Sequence, residues 1–172
     1  MPILPTVRDP RLITVRRGGT LTDDDHRMLA EWAVTCAEHV LPLYDREAAQ
    51  DERPRLAMDI ARSWIRGEAT MKTAHQAAFA ANAAGRGLTD AARFAALSAG
   101  QAVAVAHVAA HDLGAAAYAI RAAQAASTPD LAEVSRLRER DWQREQLPRP
   151  VRALVLDDQR RRNDICWFAF SD

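Results

Sequence analysis

Residues 90–126 read DAARFAALSAGQAVAVAHVAAHDLGAAAYAIRAAQAA. Alanine is the strongest helix former, and nothing in this run is a proline. As one unbroken helix it would extend roughly 55 Å at about 1.5 Å per residue. That is too long for a compact domain of 172 residues. A break is required, and Asp112-Leu113-Gly114 is the place with weak helix formers, so two central alanine-rich helices are expected to meet there. Alanine leaves little bulk between helix axes, so these two and the alanine-rich helix before them should approach closely.

Helix signals continue on both sides. Thr22 is placed to cap a first helix, with Asp23, Asp24 and Asp25 where the helix dipole favours negative charge. Leu29, Trp32, Ala33, Cys36, Val40 and Leu43 then recur at helical spacing as one buried face. Pro42 predicts a kink or an end. Pro54 suits the opening of a second helix, with Ala57, Ile60, Ala61, Trp64 and Ile65 inward and Gly67 as its stop. Thr70 caps a third helix running to Gly85 or Gly87, and Thr89 caps a fourth. On the far side, Thr128 and Pro129 predict the start of a sixth helix with Leu131, Val134 and Trp142 inward and Arg136, Glu139, Arg140 and Arg144 outward. Pro148 and Pro150 end it. A short helix through Leu154 to Arg162 and a segment from Asn163 to Asp172 complete the chain. The fold class is therefore all-α, a single-domain bundle of about six or seven helices. Residues 1–20, with prolines at 2, 5 and 10, are expected to form an extended arm on the helical domain of residues 21–172.

Composition narrows the partners. Lys and Arg total 23, as do Asp and Glu, for a formal net charge of zero. This argues against nucleic acid or an anionic membrane as partner, since both need a basic surplus. With 48% hydrophobic residues, the chain has enough apolar material for a folded core. Alanine is about a fifth of the chain and Lys72 is the only lysine, a bias of composition and no sign of arginine-mediated recognition. No run has signal-peptide or membrane-span character, so a cytoplasmic location is expected. Cys36 and Cys166, the only cysteines, form neither a disulfide framework nor a zinc pattern and are expected to be reduced and buried.

Few residues point to chemistry. His107 and His111 are four apart, which on one helix would place both imidazoles on one face. The segment lacks the glutamate of a zinc-peptidase helix, and no third ligand is well placed, so no metal and no cofactor are expected. No nucleophile elbow or phosphate loop is present. Binding is favoured over catalysis, and no catalytic residue is assigned. The alternative is a small helical enzyme or small-molecule resistance protein, with a pocket between the alanine-rich helices lined by His39, His107, His111 and Tyr118. A second candidate is the C-terminal segment. Trp167, Phe168 and Phe170 bring three of the ten aromatic residues into four positions. Such a cluster should be buried in the bundle or in a homodimer. With Arg160, Arg161 and Arg162, read as a solvated run, it also has the composition of a protein-binding hot spot.

Several segments together resemble a family of small bacterial proteins, common in actinobacteria and described as putative immunity proteins. The matching words are DPRLITVRRGGTLT from Asp9, WAVTCAEHVLPLY from Trp32, AGQAVAVAHVAAHDLGAAAYAI from Ala99 and LVLDDQRRRNDICW from Leu154. Ala78-Phe79-Ala80 departs from a Gly-Gly-His-Ala-like run seen in that family. The resemblance implies a cytoplasmic protein that binds a cognate toxin and protects the producing cell. It transfers no catalytic residue. The neutral charge counts against a cationic nuclease as the toxin.

Overall fold

Thr22 Oγ1 accepts the Asp25 amide at 3.1 Å, and Thr70 Oγ1 accepts the Thr73 amide at 3.1 Å. These two side chains supply partners for amides that a helix start leaves unpaired. They open α1 (Asp23–Ala48) and α3 (Met71–Ala84). Between them lies α2 (Arg53–Ile65), which has Pro54 in its first turn and is followed by Gly67 at φ 77°. Then come α4 (Asp90–Ala104), α5 (Asp112–Ala125), α6 (Ala132–Glu145) and α7 (Arg149–Arg161). The computed structural model describes residues 3–172, and Met1 and Pro2 lie outside it. Among the described residues the protein is all-helical, with no strand and one isolated bridge between Thr14 and Leu21.

The central layer is α4 against α5, with α1 packed on both, α2 and α3 on one flank and α6 on the other side of α5. Alanines fill the contacts: Ala95, Ala99, Ala115, Ala116 and Ala119 are fully buried. At Gly100 a Cβ would fall 2.1 Å from Asn82 Oδ1 of α3, so this crossing is closer than even alanine permits without movement of Asn82. Cys36 and Cys166 are both buried and unpaired.

The break between α4 and α5 falls earlier than the 112–114 expectation. Helix α4 stops at Ala104, a turn and a short 3-10 helix (Ala109–His111) follow, and Asp112-Leu113-Gly114 opens α5. Side chains from three other parts of the chain serve carbonyls in the interrupted stretch. His26 Nε2 donates to the Val105 carbonyl at 2.6 Å, Arg17 Nη1 to His107 O at 3.1 Å, and Arg162 Nη1 to Ala110 O at 2.9 Å. The position of the break is thus set by donors distant in sequence, which outweigh local propensity.

Three other expectations are corrected or narrowed. Of the two outcomes expected at Pro42, the end does not occur: it lies inside α1 on the exposed side, where water can serve the Glu38 carbonyl that loses its amide donor. Thr128 and Pro129 form a turn ahead of α6, whose first residue is Ala132. The faces of α6 are reversed. Leu131 and Val134 are 52% and 50% exposed, whereas Arg136, Glu139, Arg140 and Gln143 are buried. The spacing of those four is that of one helix face, and each has polar partners there. Gln143 Nε2 reaches Ala116 O at 3.2 Å and Glu139 Oε1 at 2.9 Å, and Trp32 Nε1 donates to the Gln143 carbonyl at 2.8 Å.

The N-terminal arm is folded back on itself. It carries short 3-10 helices at Pro10–Leu12 and Val15–Arg17, and its Val15 amide bonds Leu21 O at 3.0 Å. Ile3, Leu12 and Leu21 are buried in the core, and Arg11 joins the arm to α7 through Asp157 at 2.7 Å. Gly18 turns the chain at φ 85°, and a Cβ on Gly19 would fall 2.0 Å from the Ile13 carbonyl oxygen. Gly19→Ala must therefore push the two arms of this loop apart. It is expected to cost about 1–3 kcal/mol, read as a melting temperature lower by roughly 2–12 °C.

Candidate functional site

The C-terminal segment is held from two sides. Asn163 stands at its start: its Oδ1 accepts the Phe170 amide at 3.0 Å, its Nδ2 meets Ser171 Oγ at 2.9 Å, and its carbonyl takes the Phe168 amide at 2.8 Å. From α6, arginines one helical turn apart clamp the chain beyond. Arg136 Nη1 donates to Ala169 O at 2.9 Å and Ser171 O at 2.8 Å, Arg140 Nη1 also donates to Ser171 O, and Arg144 Nη2 donates to Phe170 O at 2.9 Å. These carbonyls have no helix to serve them, so cationic donors do, and charge-assisted bonds are the stronger kind. This is why the face of α6 that reads as solvent-exposed is inside.

The clamp fixes an unusual backbone. Trp167 and Phe168 have φ of 57° and 58°, a left-handed conformation that costs roughly 1–2 kcal/mol for each side chain of this kind. Their environments differ. Trp167 is half-buried, 5.0 Å from the Tyr118 ring, with the Arg121 guanidinium 4.4 Å over it. Arg121 also lies 4.1 Å over the Phe94 ring, so it sits between two aromatic rings. Burial pulls its pKa down, and it has no carboxylate partner among the described residues. Phe168 is 62% exposed in the single chain, so of the two covers expected for it, the bundle and a homodimer, the bundle does not supply one. Beside it is an open groove of about 510 Å3 lined by Arg121, Glu133, Arg136, Trp167 and Phe168.

The other candidates are scattered. Phe170 is buried in the core. Arg160 and Arg161 are exposed, and both pair with Asp157, at 3.1 and 2.8 Å. Arg162 is buried, contrary to its reading as part of a solvated run. It grips Asp158 with two nitrogens and lies 3.5 Å from Asp112.

The structure does not bring His39, His107, His111 and Tyr118 into one pocket. His39 stacks on Trp142 at 3.6 Å and meets Glu139 Oε2 at 2.8 Å. His107 and His111 lie on the link between α4 and α5 and not on a common helix face, with ring centres 5.3 Å apart. His75, which periodicity did not single out, is 4.7 Å from His107. Burial pushes His111 down to about 4, and His107 is also lowered by burial first and by His75 second. No group of three or more His, Cys, Asp or Glu among the described residues has the geometry to hold a metal. Burial holds Cys36 well above its ordinary value and pushes Cys166 up to about 12, so neither thiol is poised as a nucleophile.

A family model described as Imm-5 like putative immunity protein matches residues 19–150. The chain belongs to this immunity protein family. No curated protein and no solved structure matches it. The matched span takes in α1 to α6, so the arginine clamp of α6 lies inside the family region and the aromatic turn it holds lies beyond it. Sequence reasoning reached Trp167 and Phe168 through aromatic density. It missed Arg121, whose only signal was an arginine in an alanine-rich helix, and Asn163, which was visible as part of a family word.

Proposed function

We propose that this immunity-family chain binds a cognate toxin protein and neutralises it by occlusion, with the turn at Trp167 and Phe168 as the centre of the contact. One observation carries the reading. A phenylalanine is held in a strained conformation and left largely in water, in a segment whose other apolar residues are buried or half-buried. Strain of this kind persists only where surrounding contacts impose it, and it gathers at sites that do work. Exposed aromatics beside arginine are the side chains that dominate protein interfaces. Here Trp167 supplies a rigid base braced by Arg121, and Phe168 supplies the protruding anchor. The neutral overall charge supports selectivity by shape and apolar contact over long-range attraction.

The test uses Phe168→Gly, because glycine takes φ 58° without strain and the exposed ring adds little to the fold. The variant is expected to match or exceed the wild-type melting temperature by up to about 1 kcal/mol, roughly 2–4 °C. Its affinity for the protein encoded by the neighbouring gene is expected to fall roughly tenfold or more. Wild type should restore growth to cells making that protein, and the variant should restore it poorly. Failure of wild type to restore growth overturns the toxin reading. Equal protection by Phe168→Gly overturns the assignment of the contact. A wild-type solution mass of two chains that falls to one in the variant would make the turn a homodimer contact instead.

A further inference from the structure

A second site lies at the opposite end of the chain from the aromatic turn. The arm, the start of α1, the end of α2 and the link between α4 and α5 enclose a cavity of about 480 Å3, within the size range of small-molecule sites. Its apolar part comes from Leu12, Trp64, Ala106 and Val108. Its charged lining is one-sided: Arg8, Arg16 and Arg17 contribute, and no carboxylate does.

Most arginines elsewhere are spent. Arg11, Arg53, Arg55, Arg62, Arg136 and Arg162 each grip a carboxylate. The neighbouring cavity of about 550 Å3 shows the contrast, since its Arg11, Arg161 and Arg162 are already paired with Asp9, Asp157 and Asp158. Around the 480 Å3 cavity the donors are largely free. Arg8 makes no side-chain hydrogen bond or ion pair among the described residues. Arg17 uses one nitrogen on the His107 carbonyl, and Arg16 uses one on Asp23 in an exposed pair at 2.9 Å. A guanidinium has five N–H donors, so most of this capacity is unused. An exposed pair such as Arg16–Asp23 is worth little and yields readily to a better acceptor. The two histidines of the lining add no competing negative charge, and His26 is occupied with the Val105 carbonyl.

We infer that this cavity binds a small phosphate monoester carrying a flat or apolar group, the phosphate meeting Arg8, Arg16 and Arg17 and the flat group lying against Trp64 and Leu12. Three guanidiniums, whose one carboxylate contact is the exposed Arg16–Asp23 pair outside the lining, match a dianion better than a single carboxylate, and a phosphate monoester carries about −1.5 to −2 at pH 7. Arginine forks also fit phosphate geometry. The ligand would join the arm to the link between α4 and α5, the two elements that Arg17 already connects.

The probes are AMP, inorganic phosphate and adenosine, followed through the Trp64 indole N–H resonance, assigned with Trp64→Phe. AMP should give a saturable shift, phosphate a weaker one and adenosine none, and added salt should weaken the first two. Arg8→Gln removes a side chain with no internal partner, so the fold is retained. It should weaken AMP roughly tenfold or more, while Arg138→Gln on the exposed side of α6 should leave it unchanged. No shift with either AMP or phosphate overturns the inference. So does unchanged AMP affinity in Arg8→Gln, or adenosine binding as well as AMP.

Discussion

Arg162→Met is expected to lower the melting temperature by roughly 6–20 °C. The guanidinium is buried among Asp158, Asp112 and the carbonyls of Ala110 and Ile3, and so joins α7, α5, the α4–α5 link and the arm. Both carboxylates are themselves buried. Removing the cation strands the Asp158 carboxylate that it grips with two nitrogens, and breaking a buried pair in this way costs about 3–5 kcal/mol. In a chain of this size each kcal/mol moves the midpoint by roughly 2–4 °C. Adding Asp112→Asn and Asp158→Asn to the same chain should return a large part of the loss, because no stranded charge then remains. The cluster also sets a pH dependence. Burial raises the Asp112 carboxyl from 3.8 to about 7. Between those values the folded protein holds a proton that the unfolded chain has released. The contribution of this carboxyl to stability is therefore greatest below about pH 4 and is lost as the pH climbs towards 7. Melting curves against pH should show this fall in wild type relative to Asp112→Asn. Equal slopes in the two proteins would refute the assignment.

Removing residues 165–172 should be at least as damaging. The deletion takes away buried Cys166, Ala169 and Phe170 and strips Arg136, Arg140 and Arg144 of the carbonyls they serve. Loss of a buried large aromatic alone costs about 3–5 kcal/mol, so a fall of roughly 6–20 °C or more is expected. Phe170→Ala should reproduce much of it. Phe168→Gly should reproduce none, which separates the inward aromatic from the outward one. A truncated chain that melts with wild type would show that the segment is no part of the core.

The contrast between these residues shows where the sequence was legible. Thr22, Thr70 and Gly67 act within their own turn, and each was readable because its chemistry is local. The apolar stripe from Leu29 to Val40 was readable for the same reason, since its period is that of the helix. The break after Ala104 was hidden because its determinants, His26, Arg17 and Arg162, come from elsewhere in the chain. The reversal of α6 was hidden because hydropathy assigns arginine to water. Here the partner carbonyls belong to a segment about thirty residues away whose course no local rule gives. At the candidate site, aromatic density identified the segment. The choice of Phe168 as outward and Phe170 as inward depended on two left-handed residues that the sequence carries no glycine to announce.

The inverted α6 also bears on the order in which the chain can be completed. On a growing polypeptide α6 is made before residues 163–172, so its inner face waits for a cover that has yet to be synthesised. Most half-built bundles present bare hydrocarbon at that stage and are prone to stick to one another. This one presents Arg136, Arg140 and Arg144, which water solvates well, until residues 163–172 arrive and take the place of the water. The charged face that weakens the hydropathy signal is thus one that water can serve before its protein cover is made.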